Sequence, residues 1–373
     1  MTASWSLTLP PPDPIAQPAP TGLVWALLLL TFFLHLLAMN AALGGAILGA
    51  VARLRARAGH AYAAHLSARI AALLPVAVSL AVTFGVAPLL FLQVIYGRAF
   101  FVSSVLMAVF WLGVIPTLIV AYYGAYFLSY RGGRPGGAPV VVSWLVVLLL
   151  LTIAFVYVNN MSLMLRTAQF VPMYQADARG WHLNVNDPTF VPRFLHFVLS
   201  ATAVGGLWVA VLGWWERRRE EAAGDWVIRY GASWCAAATG LNVIAGFWWL
   251  LVLPRPVLVQ FMSRVPAIAL FLGVTAGLVA LFAALLTARA RVPARGLRAA
   301  VVAMLLTLVA MTLSRDQLRT VTLTSAGFEA NPWVAPQWPA IVVFVLLLVA
   351  ALGTVAWMVA ALARGSARGP AGH

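Results

Sequence analysis

The chain has 373 residues, of which 63% are apolar and 9% charged, and its mean hydropathy is +0.95. A water-soluble domain needs roughly 25% charged residues to cover its surface, so a soluble enzyme is excluded and a polytopic membrane protein remains. The 24 basic residues, all arginine, outnumber nine acids for a formal charge of +15; spread over short loops between apolar runs, they suit anionic lipid headgroups and not nucleic acid.

In chain order, residues 1–21 hold six prolines and no basic residue. A secretory signal begins with positive charge, so this stretch reads as an extracytoplasmic tail. Spans are expected near 22–51, 70–96, 102–129, 139–164, 192–215, 231–253, 266–288, 298–314 and 339–363. They make an all-α polytopic bundle of about nine transmembrane helices, one domain over 22–363 with a tail at 364–373. Sixteen arginines follow spans 1, 3, 5, 7 and 9, and eight lie on the opposite side. That bias puts the N-terminus outside and the C-terminus in the cytoplasm, in a bacterial inner membrane. The outer connections 166–191 and 315–338 are the longer ones, with Trp181, Trp333 and Trp338 expected at headgroup level. The inner cluster ERRREE (216–221) reads as a self-paired cap. Cys235 is the only cysteine and no C-x-x-C-H occurs, so covalent c-type haem is excluded.

Of six histidines, only His35 and His196 lie in apolar spans. An imidazole in hydrocarbon needs a partner. One reading is an interhelical hydrogen bond; the other is haem ligation. Spans 1 and 5 both begin outside, so the two rings lie at comparable depth in the outer part of the bilayer. Each is followed by small residues, Ala42, Gly44 and Gly45 after His35, and Ala201, Ala203, Gly205 and Gly206 after His196. These permit close helix approach or leave room for a flat macrocycle, and neutral imidazole is the usual axial ligand of haem b. Asn40, Asn159, Asn160 and Asn242 read as helix–helix hydrogen-bonding groups, or as the lining of a haem or quinone pocket. Arg315 and Arg319, one turn apart, and Arg193, three residues before His196, are candidate clasps for a propionate; the alternative is interfacial snorkelling, with Asp316 neutralising one of them. No acid is expected within a span and no duplicated half is apparent, which argues against a transporter.

The stretches LHLLAMNAALGGAILGAVARL (34–54), LAVTFGVAPLLFLQVIYG (80–97) and PRFLHFVLSATAVGGLWVAVLGWW (192–215) resemble the first, second and fifth helices of cytochrome bd quinol oxidase subunit I. The resemblance covers about the first 215 residues. It implies nine spans, an outside N-terminus, and b-type haems on His35 and His196, with Met262 as the nearest candidate for a second axial ligand on span 7. That family's oxygen site uses membrane glutamates on the third and eighth helices. Span 3 here has none, and the family's long quinol loop between helices 6 and 7 is replaced by LPRPVLVQFMSR (253–264). The expectation is a subunit with one or two haems b that moves electrons between membrane quinone and an outer-side partner such as a c-type cytochrome. Terminal oxygen reduction is not expected. A non-redox channel, transporter or assembly scaffold is the competing reading, and a divergent bd-type quinol oxidase is the third.

Overall fold

The computed structural model describes residues 15–131, 136–329, 331 and 333–367. Most of the expected N-terminal tail, and positions 368–373 of the expected C-terminal tail, lie outside the described residues. The elements are α1 (Thr21–Arg57), α2 (Ala61–Leu106), α3 (Ala108–Arg131), α4 (Ala138–Leu163), α5 (Phe170–Ala176), α6 (Phe190–Glu216), α7 (Glu221–Leu251), α8 (Arg255–Phe261), α9 (Arg264–Arg289), α10 (Ala294–Ser325) and α11 (Trp338–Ala367). Among the described residues, nine helices are long and apolar enough to cross a membrane; α5 and α8 are short. Lipid offers backbone groups no partner, so each span closes its own hydrogen bonds. The α1–α2, α3–α4, α6–α7 and α9–α10 connections lie at one end, the arginine-rich end. The longer connections lie at the other, the loop-rich end.

Two elements depart from the hydropathy reading. Helix α2 runs on to Leu106, taking in positions expected to open span 3, with Pro75 and Pro88 inside and a non-helical Tyr96 (φ −116°, ψ 20°). Helix α10 runs to Ser325, eleven residues past its expected end at 314. It draws Arg315, Asp316 and Arg319 into the bundle, and Asp316 is only 2% exposed. One acid is therefore buried within a span, against expectation. A polar run such as SRDQLRT reads as loop by hydropathy alone, but here Trp25 and Arg319 bind the carboxylate and keep the segment helical.

The bundle is also duplicated, which the sequence reading did not find. Helix α1 packs along α2 as α6 packs along α7, and α3 packs on α4 as α10 packs on α9. His35 and His196, Gly44 and Gly205, and Gly85 and Gly246 are each 161 positions apart, so α1–α4 superpose in sequence on α6, α7, α9 and α10. The halves meet at equivalent points. A Cβ on Gly44 would lie 2.8 Å from the Gly205 Cα, and one on Gly205 would lie 2.6 Å from the Gly44 Cα. A residue touching its own counterpart marks a pseudo-twofold axis between α1 and α6, and glycine lets their backbones touch. Helix α11 has no counterpart.

At the arginine-rich end the ERRREE cluster reaches beyond itself. Arg217 pairs with Glu221 and, at 2.5 Å, with Asp225, while Glu216 lies 3.4 Å from both Arg69 and His65 of α2.

Candidate functional site

Each membrane histidine leans on a neighbouring helix in the same way. His35 on α1 donates Nδ1–H to the Ala81 carbonyl of α2 at 2.8 Å. His196 on α6 donates Nδ1–H to the Asn242 carbonyl of α7 at 3.3 Å. A carbonyl only accepts, so Nδ1 carries the proton and Nε2 of the neutral ring keeps its lone pair. Metal-ligating histidines are commonly held this way, with the second nitrogen bonded to backbone.

Beside His35 the helices α1, α2, α3, α4 and α10 line a partly open cavity of about 290 Å³. Its walls are mostly apolar. His35, Met39, Met161, Arg315, Asp316 and Arg319 face it, and α6 contributes Phe197 rather than His196. This is the size of a small-molecule site with a few convergent polar groups. The Asp316 carboxylate accepts from Trp25 Nε1 at 2.6 Å and from Arg319 Nη1 at 3.2 Å. Arg319 also stacks over Tyr96, and Arg315 over Phe32 at 4.4 Å from the ring centroid. Arg315 lies within electrostatic reach of Arg319, Arg193 and Asp316. Three guanidiniums thus share a low-dielectric region in which Asp316 and Asp187 are the opposing charges, and an anionic group in the cavity would relieve the surplus.

Around His196 the surroundings differ. Trp249 lies 5.8 Å away, ring to ring, and Arg193 stacks over Trp249 at 4.8 Å. The buried Arg193 Nε, Trp249 Nε1 and Asn242 Oδ1 have no hydrogen-bond partner. Three unsatisfied polar atoms beside one imidazole fit a bound group that carries its own polar substituents. Met262 caps α8, ahead of the helix where the resemblance would seat a ligand, and is 50% exposed. It follows Phe261, which packs in one cluster with Trp249.

Three of the four asparagines tie elements of the bundle together, whereas the buried Asn40 Oδ1 has no hydrogen-bond partner. Asn160 accepts from Ser103 and donates to Ser104, Asn159 accepts from the Asn184 backbone of the α5–α6 loop, and Asn242 donates to Ser200. The residues that sequence reading missed are Trp25, Asp316 as a buried group, Gly85 and Gly246. The signal for the last two was the repeated pattern of an imidazole followed nine positions later by Gly-Gly, which reveals the 161-residue offset.

No family model and no curated protein sequence matches the chain. Among solved structures it is similar to the bd oxidase from Geobacillus thermodenitrificans, with a TM-score of 0.72 at 11% identity, covering 95% of this chain and 100% of that one. The chain has a bd-oxidase-like helical fold. The likeness spans nearly the whole chain, where the sequence resemblance reached only about residue 215.

Proposed function

We propose that the protein is a haem b-binding membrane subunit that transfers electrons. The observation that carries this reading is the pair of equivalent imidazoles, each fixed through Nδ1 with Nε2 left to ligate. Bound haem supplies reversible one-electron chemistry. The residues do the rest. His35 and His196 each offer a lone pair to iron, Arg315 and Arg319 bind propionates beside His35, and Arg193 does so beside His196. The mostly apolar walls give the His35 site a low-dielectric setting. Two haems, one in each half, fit better than a single bis-histidine haem, because the rings lean on different helices and the His35 cavity takes Phe197 from α6. The arginine bias favours the loop-rich end as the outer face, where the electron partner, a c-type cytochrome or another redox subunit, would dock. Membrane quinone is the natural partner on the lipid side.

The test is a reduced-minus-oxidised spectrum of the purified protein, His35→Ala and His196→Ala. Two sites predict that each variant loses about half of the b-type signal; a shared haem predicts that either loses all of it. Absence of any b-type signal in the wild type ends the reading. The duplication and the buried charges are also features of transporters, and that reading would then stand.

Asp316 favours a second reading, a divergent quinol oxidase, since oxygen reduction consumes protons and a carboxylate faces the cavity after all. Oxygen uptake with reduced quinol, lost in Asp316→Asn, would establish it.

A further inference from the structure

In an α-helix the carbonyl of one residue takes the N–H four residues later. Ala81 and Asn242 sit four residues before Gly85 and Gly246. An imidazole that seeks the same carbonyl must come in beside that later residue, where a side chain would stand in its way. A Cβ on Gly85 would lie 2.9 Å from both Cε1 and Nδ1 of His35, and one on Gly246 would lie 3.3 Å from the same atoms of His196. The acceptor is backbone, so its residue type is free: alanine in one half, asparagine in the other. The glycine is not free. Between 78–92 and 239–253 the matched positions that are identical, leucine and valine aside, reduce to Gly85 and Gly246.

We propose that Gly85 and Gly246 are positioning residues, each admitting an imidazole to a helix carbonyl and so fixing which ring nitrogen is left to ligate. This rests on the haem reading for its purpose, but not for its geometry. The carbonyl bond selects the Nδ1–H tautomer, sets the plane of the ring and turns Nε2 away from the supporting helix. The closer approach at Gly85 makes the His35 seat the less forgiving of the two. Comparable supports behind a metal-bound histidine are worth about 10–100-fold in affinity.

Two measurements test it. Nitrogen-15 histidine spectra of the wild-type protein in lipid should show both membrane rings as neutral Nδ1–H tautomers, whether or not haem is bound. The Nε2–H tautomer would overturn the proposal even if the haem reading survives. In haem-loaded protein, Gly85→Ala should weaken retention of the His35 haem about tenfold or more and shift its spectrum and midpoint potential. Gly246→Ala should act in the same direction on the His196 haem, but less. Gly113→Ala on α3, where nothing lies within 4 Å of a new Cβ, should change none of these. Wild-type haem spectra and potential retained in Gly85→Ala would overturn the proposal, whereas a haem-free wild type with the Nδ1–H tautomer would defeat the haem reading and leave the seat standing.

Discussion

At the scale of single residues, the buried charges beside the cavity depend on one carboxylate. Asp316 accepts from Trp25 and Arg319 and lines the same cavity as its neighbour Arg315. Removing one partner of a buried pair strands the other, at roughly 3–5 kcal/mol. Asp316→Asn keeps an acceptor for Trp25 but no charge for Arg319, and is expected to lower stability by about 3 kcal/mol, read as a fall in Tm in detergent. Trp25→Phe removes one donor to a charged acceptor and should cost about 1.5 kcal/mol. The double variant Asp316→Asn/Arg319→Gln should cost less than the sum of its parts, because neither charge is left alone; strict additivity would deny the pairing. Arg315 behaves in the opposite way. It is stacked on Phe32 among like charges, so Arg315→Met should raise the Tm of haem-free protein and weaken haem retention. A fall in both would place Arg315 in the structural framework alone.

At the scale of elements, the contact of α1 with α6 is the joint between the halves. Gly44→Ala would drive a methyl group into the α6 backbone, and overpacking of this kind costs roughly 1–3 kcal/mol. Denaturation of Gly44→Ala and Gly205→Ala should show similar losses, since each residue meets the other; indifference at either would remove the axis from that point. The loop 177–182 is a second joint. It caps the α2–α3 junction, with Val109 N–H donating to Gly180 O at 3.1 Å and His182 N–H to Leu106 O at 3.0 Å. Gly180 has φ +79° there, a conformation open to glycine. The Arg179 side chain binds Asp177 and holds its carboxyl below the ordinary 3.8. A depressed carboxyl contributes its stability in full above the unfolded value and loses it as pH falls through the folded one. Hydrogen exchange at Val109 and His182, corrected for intrinsic rates, should speed up as the pH falls below about 4. Asp177→Asn should remove that acid step. The spans themselves were legible because lipid burial is what hydropathy measures. The last turns of α10 were not, because Asp316 is buried by a tryptophan 291 positions away. The repeat was written in LH-x8-GG, but its lipid-facing positions need only be apolar and have drifted. Gly85 is one of 29 glycines, and nothing local marks it out.

At the scale of the molecule, eight spans form two matched halves and α11 stands apart. Its side chains are largely open, with Leu346, Leu347 and Val349 each more than 60% exposed. It is held at the loop-rich end, where Phe344 meets Phe91 edge to face at 5.1 Å and Ile341 packs on the cluster around Phe100 and Leu106. The chain before it does more. Gln17 N–H donates to Trp333 O at 2.8 Å, Ala335 N–H to Gln17 O at 2.9 Å and Gln337 N–H to Pro18 O at 2.8 Å, strapping the N-terminal approach of α1 to the segment after α10. If the two halves are the functional unit, a chain stopped after Gln337 keeps the strap, both histidine seats and the cavity. It should retain the wild-type ratio of haem to protein and the wild-type spectrum, with a Tm lower by only a few degrees. A chain stopped after Ser325 loses the strap as well, freeing α1 and Trp25 at the end where Asp316 is held, and should lose haem from the His35 site first. Equal loss of both haems on removing α11 alone would mean that the ninth span, and not the duplication, organises the sites.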